Sequence, residues 1–165
     1  MRLTGAALLT AAGLLSGLLA AKALRARTAR RGELCRMLEL MAFQLGRFHT
    51  PMPALFDTLA FQTEGAGACL CRRMTEGMTC LGERDFAGIW ADALAFLPAR
   101  ERDILRPLGP VLGRYGTQEQ LRAVEICLRD MEQAKREAAA AAREKGRMYV
   151  GLSAAGGAAL SVLLL

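Results

Sequence analysis

Residues 3–31, LTGAALLTAAGLLSGLLAAKALRARTARR, decide how the rest of the chain is read. Leu3 to Ala21 carries no charge over roughly 19 positions; at about 1.5 Å rise per residue that matches a hydrocarbon layer of about 30 Å. Lys22, Arg25, Arg27, Arg30 and Arg31 follow directly, and no acid appears before Glu33. A cleaved export signal is the rival, and Ala21-Lys22-Ala23 has the small-x-small form of a cleavage site. Such a signal carries its charge ahead of the apolar run, whereas here only Arg2 and the amino group precede it. The asymmetry favours a retained span whose basic side stays in the cytoplasm.

The far end repeats the pattern in reverse. Arg143, Lys145 and Arg147 stand just before Met148 to Leu165, a second uncharged stretch rich in Gly, Ala and Leu. Gly151, Ser153, Gly156 and Gly157 dilute its hydrophobicity, so a buried core helix is the competing reading. Small residues four apart, Ser153 with Gly157 and Ala154 with Ala158, would let membrane helices approach closely. The expected organisation is all-α: a transmembrane helix over 1–23, a cytoplasmic helical bundle over 24–147 and a transmembrane helix over 148–165.

Composition agrees with helices. Of 165 residues 53% are hydrophobic and only 5% aromatic, with Ala, Leu and Gly supplying the apolar content and little that favours strands. The net charge of +6 resides in the two basic clusters, and the middle is close to balanced. No continuous basic stripe with interleaved aromatics occurs, which argues against nucleic-acid binding. Five cysteines without paired spacing suit a reducing compartment.

Along the middle, Leu34, Leu38, Met41, Ala42 and Leu45 recur at helical spacing, so the first helix should continue past the membrane. Thr50 is read as an N-cap and Pro51 as the first residue of the next helix. Gly65-Ala66-Gly67 reads as a break before a short helix over 69–80. Phe86, Ile89, Trp90, Ala93, Leu94 and Leu97 form the clearest apolar stripe. Pro107 and Pro110 should interrupt the helix opened by Pro98, and Gly113 and Gly116 should end it. Thr117 with Gln120 reads as a capping box, and the helix that follows has no proline before the C terminus.

Reactive groups are few. His49 is the lone histidine, Cys69-x-Cys71 is too short for usual zinc spacing, and no phosphate-binding Gly loop or Gly-x-Ser-x-Gly elbow occurs. No catalytic, cofactor or metal residues are therefore expected, although a metal or redox role for Cys69, Cys71 and Cys80 remains a rival. A generic membrane adaptor that assembles only with other membrane proteins is another.

Several motifs in order carry a resemblance: Gly46-Arg47-Phe48-His49-Thr50-Pro51, the Trp90 segment, and Leu108-Gly109-x-x-Leu112-Gly113 with Thr117 and Gln120 beyond it. A Leu128-x-x-Met131-Glu132 stretch follows. In this arrangement the chain resembles the stage III sporulation protein AB family over nearly its full length. Gln44 and Gly116 stand where that family often has acidic residues. The resemblance implies a non-enzymatic subunit of the complex joining mother cell and forespore. It also implies a soluble domain similar to the helical domain of type II secretion and type IV pilus platform proteins. The implied partners are the companion ATPase, stage III sporulation protein AA, in the mother-cell cytoplasm and other membrane subunits; a homo-oligomer is compatible with this.

Overall fold

The computed structural model describes the backbone of residues 2–48 and 50–163 and the side chains of residues 22–48 and 50–143. The apolar stretches 3–21 and 148–165, with Lys145 and Arg147, lie outside the described side chains, and His49 lies outside the described residues. Among the described residues there are six α-helices and no named strand: α1 (Arg2–Phe48), α2 (Met52–Gln62), α3 (Gly65–Met78), α4 (Phe86–Ala93), α5 (Ala99–Leu105) and α6 (Thr117–Leu163). Short 3₁₀ turns follow α4 at Leu94–Phe96 and α5 at Arg106–Leu108. Among the described residues no helix is long and apolar enough to cross a membrane.

The chain forms two compact units. One joins Met1–Thr28 with Arg136–Leu165 and consists of the outer parts of α1 and α6. In it Lys22, Arg25, Arg27 and Arg143 are exposed, and the Thr28 hydroxyl donates to the Leu24 carbonyl one turn back at 3.2 Å.

The other unit, Ala29–Lys135, is the helical bundle. Its core takes Leu34, Met37, Leu38, Met41 and Leu45 from α1, at the three- and four-residue spacing that places them on one face. Leu55, Phe56 and Leu59 of α2 and Leu70, Cys71 and Met74 of α3 join them, with Val124, Cys127 and Met131 closing from α6. Burying each large apolar side chain contributes about 1.5–3 kcal/mol, which outweighs the modest helix propensity of the shorter segments. Antiparallel passage of α1 and α6 is fixed by two contacts. The Arg31 guanidinium Nη1 donates to the Ala134 carbonyl at 2.6 Å, and Gly46 lies against Leu121.

Three local readings change in the folded chain. Gly65-Ala66-Gly67 is the first turn of α3 instead of a break, because the Glu33 carboxylate of α1 accepts the Ala66 N–H at 2.7 Å and caps the helix from outside. Gly65 has φ +57°, and a Cβ there would overlap the same carboxylate, so glycine is required. At α2 the Leu55 N–H bonds to the Pro51 carbonyl at 2.9 Å, placing Pro51 at the cap and Pro53 in the first turn, one residue later than expected. Neither proline loses a donor there, since the first N–H groups of a helix have no partner within it. The Thr50 hydroxyl instead donates to Gln44 Oε1 at 3.4 Å.

At α6 the Gly116 carbonyl accepts from the N–H groups of Glu119 and Gln120 at 3.0 and 3.1 Å. Thr117 is therefore the first residue of the helix and not its cap. Gln120 is buried and reaches back with Nε2 to the Tyr115 carbonyl at 2.7 Å, which the capping-box reading did not foresee. The helix opened by Pro98 stops at Leu105, two residues before Pro107, which has no N–H to extend the ladder, although Arg106 just ahead of it keeps helical backbone angles.

Candidate interaction surface

Two buried nodes fix the surfaces of the bundle. At the first, the Trp90 indole N–H donates to the Leu105 carbonyl at 2.9 Å, at the point where α5 passes into the 3₁₀ turn. A Cβ on Gly109 would lie 2.9 Å from the Trp90 ring, so the residue must be glycine for the indole to seat. Phe56 packs on the other side at 6.1 Å between centroids. Leu112 is buried below, and Gly113 turns the chain at φ +79°. Trp90, Gly109, Leu112 and Gly113 thus serve one construction, which holds the α5–α6 connection against α4.

The second node is ionic. Glu101 of α5 is 1% exposed, and its Oε1 accepts from Arg31 Nε at 2.8 Å while Arg30 Nη2 lies 3.9 Å away. Arg31 also holds the Ala134 carbonyl, tying α1, α5 and α6 together. In sequence Arg30 and Arg31 belong with Lys22, Arg25 and Arg27 to the basic run expected to set membrane topology. In the fold they are half-buried and neutralise Glu101, because a carboxylate out of water must be paired. No feature of the local sequence marks Glu101 as their partner. Asp85 is a second missed residue: its Oδ1 accepts the Gly88 N–H at 3.2 Å and caps α4, and the Asp-x-x-Gly start of an apolar stripe was the available signal.

Three of the five thiols, Cys35, Cys71 and Cys127, are buried. Burial pushes the Cys71 thiol up to about 12, and burial with Asp130 nearby pushes Cys127 up to about 11. Burial also raises Cys35, so all three remain protonated at neutral pH. Among the described residues no group of three or more ligating side chains could hold a metal ion.

Along α5 and α6 runs a groove of about 670 Å³ lined by apolar Ile104, Pro107, Ala123 and Ile126 together with Arg100, Asp103 and Asp130. Ile126 is 51% exposed. On α1, Phe43 and Phe48 are 50% and 61% exposed and meet edge to face at 5.8 Å, with the Arg47 guanidinium 6.0 Å above the Phe43 ring. Large exposed aromatics of this kind mark contact surfaces more than solvent-facing ones.

Comparison with known proteins adds two findings. A family model described as stage III sporulation protein AB matches residues 2–165. A solved structure titled stage III sporulation protein AB aligns with TM-score 0.60 at 18% identity, covering 69% of this chain and 94% of that one. At that identity the likeness speaks for the fold. No curated protein matches.

Proposed function

The chain belongs to the stage III sporulation protein AB family, and from that premise we propose that it is a membrane-anchored, non-enzymatic platform subunit which docks a cytoplasmic ATPase. As a member of this family it is a subunit of a sporulation complex with an all-helical bundle. The finer role rests on one observation: the family match runs from residue 2 to residue 165, so it takes in both apolar ends together with the bundle.

Both ends then enter the membrane, with their basic flanks holding the bundle in the mother-cell cytoplasm. Lys22, Arg25, Arg27 and Arg143 are exposed, as charges at a membrane surface would be. A bundle tied to the membrane through α1 and α6 presents a fixed face to a soluble partner. The buried, protonated thiols and the paired Glu101 suit a structural body over a reaction centre.

The companion ATPase, stage III sporulation protein AA, is the expected partner. The test uses the full chain in lipid nanodiscs and the purified ATPase. Saturable binding with a changed rate of ATP turnover supports the platform role. Absence of both, with the bundle folded by circular dichroism, overturns it.

A further inference from the structure

We propose that the bundle binds a second copy of itself side by side, the outer face of α1 from one copy seating in the α5–α6 groove of the next. The proposal is independent of ATPase docking and rests on matched spacing along two helices.

On α1 the outer stripe is Arg36, Phe43 and Arg47, at offsets of seven and four, which keeps them on one face. Arg36, 65% exposed at its side chain, pairs with Glu39 of its own helix at 3.4 Å, a bond for which a carboxylate of the next copy would compete, and the 50% exposed Phe43 stands between Arg36 and Arg47. On α6, read in the opposite direction, the outer stripe is Asp130, Ala123 and Glu119, again at offsets of seven and four. Here Ala123, which lines the groove with Ile126, Asp130 and Arg100, stands between the carboxylates of Asp130 and Glu119 along α6.

The two stripes also lie level. The Arg31–Ala134 bond and the Gly46–Leu121 contact set the antiparallel register of α1 and α6 within one bundle. By that register Phe43 lies within a residue or so of the height of Ala123, Arg36 of Asp130 and Arg47 of Glu119. Copies related by rotation about an axis parallel to these helices keep equivalent residues at equal height. Such a rotation therefore brings Arg36 to Asp130, the Phe43 ring to the groove floor at Ala123, and Arg47 to Glu119. An apolar anchor with charge pairs at its rim is the usual anatomy of a protein interface. Because the two surfaces differ, the contact is heterologous, and its angle decides between a closed ring and an open row.

The experiment uses the full chain in detergent micelles, with Cys69 and Cys80 changed to Ser to remove the more accessible thiols. Arg47→Cys and Glu119→Cys copies, co-expressed, should form a disulfide between copies, whereas either alone should not. Arg36→Asp or Asp130→Arg alone should weaken association by about tenfold, measured by sedimentation, and the two together in one chain should restore it. Disulfides between two Arg47→Cys copies, a chain that stays monomeric at tens of micromolar, or single charge reversals without effect would each overturn the proposal.

Discussion

The Trp90 node and the Glu101 node lie in the same bundle, bury their key groups to the same 1% exposure and join the same α5 to its neighbours, yet they work by opposite chemistry. Around Trp90 the gain is apolar area and close packing, with one hydrogen bond to complete it. Around Glu101 the carboxylate loses its hydration and recovers it through Arg31, with Arg30 near. The first arrangement contributes net stability. The second approximately cancels its own desolvation cost and contributes chiefly by fixing which helices meet. Mutations should therefore separate the two nodes by whether a compensating change restores stability.

The largest effect is expected at the apolar node. Trp90→Ala should lower stability by about 3–5 kcal/mol, read from urea unfolding followed by circular dichroism, because it leaves a cavity and removes the indole bond to the Leu105 carbonyl. No second substitution nearby should recover it. At the ionic node Arg31→Met alone should cost about 3 kcal/mol by leaving Glu101 with only the distant Arg30. Arg31→Met with Glu101→Leu should return to within about 1 kcal/mol of the parent, followed by the fluorescence of Trp90. A double variant as unstable as the single one would erase the distinction between the nodes.

Gly109→Ala sharpens the packing side. The added methyl meets the indole at 2.9 Å, so a loss of about 1–3 kcal/mol and a shift in Trp90 emission are expected. Glu33→Gln sharpens the electrostatic side. The amide oxygen can still accept the Ala66 N–H, so only the charge at the α3 terminus is lost. That should cost about 0.5–1 kcal/mol and shrink with added salt.

The last effect appears only at alkaline pH. Between the ordinary thiol value of 9.0 and about 12, the unfolded chain releases a proton that folded Cys71 retains. Stability should therefore be unaffected by this group below pH 9 and fall as pH rises above it, a decline that Cys71→Ala reduces while the shares of Cys127 and Cys35 remain. Urea midpoints taken across that range would test the sign.

Much of the architecture is legible in single stretches of sequence. The stripes on α1, α4 and α6 announce helices because a 3.6-residue repeat is a property of one segment. Gly109 and Gly113 were visible as a motif, although the reason for the first glycine, an indole from α4 lying over it, was not. The start of α3 is not legible locally, because its cap comes from Glu33, a residue 33 positions away from the N–H it satisfies.

The sequence alone therefore determined the all-helical class, the order of the helices and the family, all of which depend on local periodicity and on motifs in sequence order. Only the tertiary structure decided which charges face water and which are bound. Arg27 and Arg30 look alike in a basic run, and Glu101 looks like any acid on an exposed helix. Burial is a property of the packed neighbours, and it obliges a carboxylate to find a cation wherever in the chain that cation lies.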